Sequence, residues 1–387
     1  MSKDIDSYSA GKSAAENALA EIAADDPDVL FVFSSIRFDQ HKLLQGIKTI
    51  LPDTPLVGCT DAGEITSNGE DKKSVIVLAL KSNTLKISTG LGRNISADSR
   101  AAGQEVAHDA ITKSRSSDRD FFMIFPDGLK GNTADLIRGC QEVFGTSFPI
   151  VGGCAADDFL FTKTYQFYEE RVYTDSVPGV LFSGNIAVGI GARHGWYPIG
   201  KPLKVTKAEA NIIHELAGRP AAKIYEDYFG KRVIELRDEP LGRMSIMYPL
   251  GMTIPGEEEC IVRNALSAER NGALICAGEV PEGAEIRVMM GSRETALKAA
   301  KKASEIALEG LRDKEPRIVF VFDSVSRHKL FGRMASLEVD IVQEVFGRGT
   351  PIVGFYTYGE QAPLGATINL GQTFFHNETI VVVAIGE

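Results

Sequence analysis

Three short loops carry the side chains best suited to chemistry, and each follows a strand-like phrase ending in Val-Gly. PLVGCTDAGE supplies Cys59, Thr60, Asp61 and Glu64; PIVGGCAADD supplies Cys154, Asp157 and Asp158; PIVGFYTYGE supplies Tyr356, Tyr358 and Glu360. Two loops are small and acidic, while the third is aromatic and ends in a carboxylate. Carboxylates and aromatic faces both attract cations, so the set can hold the ammonium group and side chain of a small metabolite. A second use is covalent: Cys59 or Cys154 as a nucleophile, with Asp61 and Asp157, describes an enzyme acting on a small metabolite. The structural use of the same residue types is the capping of turns and helix N-termini by acids and the filling of an interface by aromatics.

Other chemistries lack their patterns. There is no GxSxG, so the strained nucleophile turn of an α/β-hydrolase is missing. HELAG at His214 begins like a zinc-protease helix, but that motif needs a second His four residues on and position 218 is Gly218. GLGRN (Gly90–Asn94) lacks the full phosphate-binding pattern and reads as a loop leading into a helix. The five Cys are scattered with no CxxC, which suits reduced thiols better than a disulfide framework or zinc site.

The loops must be positioned by repeated elements. QEVFGTSFPIVGG (from Gln141) returns as QEVFGRGTPIVGF (from Gln343), and TPLVGCTDAGEI (Thr54 to Ile65) repeats the back half. Apolar runs precede the copies at Val29–Ser35, Phe121–Gly128 and Arg317–Ser324, and β-branched runs follow at Ser74–Leu80, Gly184–Ile190 and Thr379–Ile385. Such Val- and Ile-rich runs read as strands buried on both faces. The unit is strand, helix, strand, strand. AAENALAEIA, AAGQEVAHDAI and TALKAAKKASEIALEGL precede the units with helical spacing. The expectation is an α/β fold of layered mixed sheets with helices, built from repeated strand-helix-strand-strand units in two domains. The boundary is placed in Tyr228–Met244, giving residues 1–235 with two units and 236–387 with one. Ligands in open α/β sheets settle beyond the carboxyl ends of strands, so the three unequal loops are expected around one cavity.

The 387 residues, 44% hydrophobic and 24% charged, have the composition of a folded chain. A net charge of −10 and no Lys/Arg cluster argue against a nucleic-acid partner. No apolar run reaches the roughly 18 to 20 residues of a membrane span, and the N-terminus lacks an apolar signal core. A cytoplasmic location without membrane insertion is the expectation.

GCTDAGEI, VGGCAADD, HGWYPIGKPLKVT, ELAGRPAAKIYE, PEGAEIRVM, GFYTYGEQAP and FHNETIVVV, in this order, resemble the N-terminal and C-terminal modules of the FIST family. The resemblance runs from about Asp28 to the end. It implies a non-enzymatic sensor of small ligands such as amino acids, acting through a separate histidine kinase or cyclic-di-GMP enzyme, with a homodimer left open. One branch of similar length binds haem and senses nitric oxide, which implies haem b held non-covalently, since CxxCH is absent. Among the six His, His194 is the first choice for the haem iron, because GARHGWYPIG places it beside Trp196 and Tyr197. His376, in FFHNETIVVV, is the runner-up. A ligand between the two modules would change their relative angle and the surface shown to a kinase.

Overall fold

The computed structural model describes residues 1–22, 26–184, 186–230, 243–257, 259–364 and 371–387. The architecture is mixed α/β in two domains, a body of three repeated units and a smaller antiparallel domain. In the first unit the strand Val29–Ser35 pairs in parallel with Leu56–Asp61 and antiparallel with Val75–Leu80. Phe121–Ile124, Ile150–Gly153 and Ser176–Ser183 repeat this arrangement in the second unit. Pro316–Ser324, Ile352–Thr357 and Ile380–Gly386 repeat it in the third.

The repeated phrase has a backbone cause. The carbonyl of each proline accepts the N–H that opens the parallel pairing: Leu30 to Pro55 at 2.8 Å, Phe122 to Pro149 at 3.0 Å and Val319 to Pro351 at 2.9 Å. The glycine that follows lies against the first strand. A Cβ on Gly58, Gly152 or Gly354 would sit 1.8, 2.0 or 1.8 Å from the carbonyl oxygen of Val32, Ile124 or Val321, so no side chain fits.

Each unit also lends a hairpin to a neighbour. The hairpin from Glu64 to Asp71 extends the third sheet, that from Gln166 to Tyr173 extends the first, and the paired strands Glu360–Pro363 and Thr373–His376 extend the second. The exchange is cyclic and relates the units by an approximate threefold. Phe31, Phe33, Phe121, Phe125, Phe320, Phe322 and Phe355 meet at its centre, with Phe31 5.2 Å from Phe320 and Phe33 4.5 Å from Phe355. The alternate residues, such as Leu30 and Val32, face the helices Ser7–Glu21 and Gln40–Ile50. Both faces of each central strand are therefore apolar, as its continuous run requires.

Two features differ from the sequence expectation. The run after Gly184 forms the strand Ala187–Arg193, which joins the edge of the third sheet, and Ser176–Ser183 closes the second unit instead. Pro178 and Gly179 interrupt that strand's apolar pattern and hide it. Between the second and third units an antiparallel sheet, including Leu203–Glu209, Ile212–Leu216, Leu250–Met252 and Glu285–Met290, surrounds a separate core with Val205, Ile213, Leu274 and Val288. The boundary expected between residues 235 and 236 lies outside the described residues.

Candidate functional site

The three loops do come together, but they pack on one another. Ala62 N–H donates to the Tyr356 carbonyl, Tyr356 N–H to that of Gly63, Ala156 N–H to that of Thr60, Asp158 N–H to that of Asp61, and Cys154 N–H to that of Gly359. Strand exchange consumes the loops' backbone groups, so their side chains have structural work. Glu64 Oε1 accepts from Ser74 N–H, and Glu360 accepts from the Thr357 hydroxyl and from Thr379 N–H. Gln166 occupies the matching place in the second unit and accepts from the Ser176 hydroxyl. Each ties its hairpin to the start of the closing strand of its own unit.

The remaining residues also pack among the loops, although Asp61 Oδ2, Glu64 Oε2 and the Tyr356 hydroxyl have no partner among the described residues. The Thr60 hydroxyl accepts from Tyr165 N–H at 3.0 Å, and Asp61 Oδ1 accepts from Gly63 N–H at 3.0 Å. Burial raises the Asp61 carboxyl well above the carboxylate range, helped by Glu64, whose own value is pushed up to about 8. Asp158 accepts from the Ser35 hydroxyl at 2.6 Å. The buried Tyr356 ring packs against His328 with centroids 4.5 Å apart. Cys59 and Cys154 are buried, and desolvation pushes both thiols up, Cys154 to about 12. A thiol so protonated is a poor nucleophile.

His194 is 5% exposed. Its Nδ1 accepts from Trp196 N–H at 2.8 Å, so Nε2 carries the proton and stands 3.2 Å from Glu259. Desolvation, followed by the charge of Arg327, lowers its pKa to about 3. Trp196 is buried and donates from its indole to the Ile246 carbonyl, while Tyr197 is exposed in a short strand. His376 Nε2 meets the Ala362 carbonyl at 3.0 Å, and burial lowers its pKa to about 4.

A cavity of about 310 Å³ opens beside this junction. It lies beyond the first strands of the second and third units, facing the antiparallel domain. Its rim carries Leu129, Lys130 and Phe161; its floor carries Asn264, Ser324, Ser326 and Asn377, all at most 4% exposed. Tyr358 lines it, with its ring stacked on Phe161 at 4.6 Å and its hydroxyl donated to Asp157. Asp157 also accepts from the N–H groups of Phe161, Thr162 and Lys163 at 2.8, 2.7 and 2.9 Å. It thereby holds a loop in which Asp158, Phe159 and Phe161 all have positive φ. At the opposite wall Arg138 forms two hydrogen bonds with Glu279, at 2.7 and 2.8 Å, and Asn132 caps the helix Thr133–Phe144 while donating to Glu279 at 2.6 Å.

Of the expected site residues, Tyr358 alone lines this cavity, and Asp157 supports it from behind. Asn132, Asn211, Asn264 and Asn377 went unnoticed in the sequence. The signal available was PDGLKGN after Phe121–Ile124: the free strand ends are those of the first strands, because exchanged hairpins occupy the ends of the second.

The FIST N domain family model matches residues 28–219 and the FIST C domain model residues 221–363. The chain belongs to the FIST family. An uncharacterized protein of Mycobacterium tuberculosis is 25% identical over 374 residues, covering 92% of this chain and 91% of that one. One of Methanocaldococcus jannaschii is 23% identical over 382 residues, covering 90% and 71% respectively, and one of Mycobacterium bovis is 24% identical over 373, covering 93% and 92%. FIST domains are sensor domains of signal transduction rather than an enzyme family. Among the described residues no helix is long and apolar enough to cross a membrane.

Proposed function

We propose that this FIST protein is a non-catalytic receptor for a small polar metabolite of the amino-acid class, which it holds in the cavity between the second unit, the third unit and the antiparallel domain. The observation that carries the reading is this cavity, about 310 Å³, at the small end of the range for ligand sites. Its walls combine aromatic rings with amides and hydroxyls, which suits a polar ligand with a short apolar body. The alternative enzyme using Cys59 and Cys154 is disfavoured, because burial keeps both thiols protonated.

Haem does not fit the residues present. Neither His194 nor His376 lines the cavity, and both side chains are buried. The output, in this reading, is a change in the angle between the antiparallel domain and the three-unit body, presented to a separate histidine kinase or cyclic-di-GMP enzyme.

A thermal-shift screen of the full chain against amino acids and related metabolites tests the proposal. The expected result is a concentration-dependent rise in melting temperature that disappears in Ala277→Trp, which fills the cavity. An equal rise in that variant overturns it.

A further inference from the structure

The floor of the cavity has unused hydrogen-bond capacity of one sign. Asn377 is 2% exposed; its amide nitrogen donates to the His376 carbonyl, and its Oδ1 has no partner. A buried acceptor left unmade is unfavourable, so it is a place where a donor would be stabilised. Beside it, Asn264 donates its amide to Glu378, whose carboxyl is pushed up to about 8 by burial. Behind this floor stand the buried carboxyls of Asp323, Glu338, Glu360 and Glu378, each raised by burial, with Arg327 inserted among them.

The charged side chains near the cavity leave this Asn377 acceptor free. Arg138 is paired with Glu279 on the side wall. Arg263 donates to the carbonyls of Val262, Phe375 and Glu279, with its guanidinium 5.5 Å from the Phe375 ring centroid. Lys130 stands on the exposed rim. The rings of Phe161 and Tyr358, stacked on each other, line the way from rim to floor, and an aromatic ring attracts cations at its face.

We infer that the cavity selects a linear cationic metabolite, a basic amino acid or aliphatic diamine, whose terminal ammonium is driven to the floor to donate to Asn377 Oδ1. This rests on the receptor reading above and narrows its ligand to one chemical class. The ammonium brings three donors to a floor that offers acceptors, and its methylene chain lies along the rings. A carboxylate at the far end of an amino acid would remain at the rim, within the field of Lys130.

Isothermal titration calorimetry of the full chain with L-lysine, putrescine, L-norleucine and L-glutamate is the test, because norleucine is lysine without its terminal ammonium. The expected result is binding of lysine or putrescine with norleucine at least about tenfold weaker, as loss of a charge-assisted hydrogen bond implies. Asn377→Leu and the rim variant Phe161→Ala should each weaken the cation by about tenfold. The comparison among ligands stands even if Asn377→Leu does not fold. Norleucine binding as tightly as lysine overturns the cation inference while leaving the receptor reading intact. Silence from lysine and putrescine overturns it as well, and a response to neutral amino acids in the thermal screen would then keep the receptor reading separate.

Discussion

Replacing Arg327 with Met should destabilise the protein strongly, and more at high pH than at low. Its guanidinium has no exposed surface, stands 3.0 Å from Asp323 Oδ1, donates to Glu338 Oε1 and to the His194 carbonyl, and reaches the Ala296 carbonyl at 3.0 Å. It thus joins a strand end, two helices and the segment after Ala187–Arg193. Burial raises both carboxyls, their mutual repulsion adds to this for Asp323, and the arginine opposes it. Breaking a buried charge network by removing one member costs about 3–5 kcal/mol. With a denaturant slope of about 3 kcal/mol/M, the urea midpoint should fall by about 1 to 1.7 M. The sign of the pH effect follows from linkage. Without the guanidinium the folded-state carboxyls move further above their unfolded values, so the penalty is small where both are protonated and grows as pH rises through the folded pKa values. Urea titrations of wild type and R327M at pH 5 and pH 8 measure both effects. A midpoint change below about 0.3 M at pH 8, or a larger loss at pH 5, would refute the assignment of this arginine as the neutralising member of the network.

Three further outcomes follow from the packing. Gly152→Ala places a methyl 2.0 Å from the Ile124 carbonyl oxygen and should cost about 3 kcal/mol in urea unfolding; a neutral result would mean that the parallel strands are not in the described contact. In Asp157→Ala the loop Asp158–Lys163 loses the acceptor that fixes three positive-φ residues, so limited proteolysis should cut there first, with stability lowered by about 2 kcal/mol. Thiol labelling of the native protein at pH 7.5 should reach the half-buried Cys260 first, with Cys59 and Cys154 reacting only after unfolding; rapid labelling of either would revive the enzyme alternative.

The repeated units were legible because each carries the same steric demand: a proline carbonyl that opens the pairing, a glycine pressed against the neighbouring strand, and a continuous apolar run with both faces covered. The cyclic exchange of hairpins was not, because Glu64, Gln166 and Glu360 begin strands of three or four residues whose partners lie in other units. That exchange also explains why the loops that looked chemical became structural. The antiparallel domain escaped notice for a similar reason: most of its strands are two to seven residues long and leave little periodic signal. The cavity residues come from first-strand loops and from this domain, so sequence order scatters Asn132, Asn211, Asn264 and Asn377, and only the assembled fold makes them neighbours.

The central claim is that the junction of the two domains encloses the ligand. A crystal structure of the full chain with the compound giving the largest thermal shift tests it most directly. The account predicts electron density for that compound within hydrogen-bond reach of Asn377 and in contact with Phe161 and Tyr358. Density only elsewhere, such as in the groove between Arg93 and His108, would contradict it.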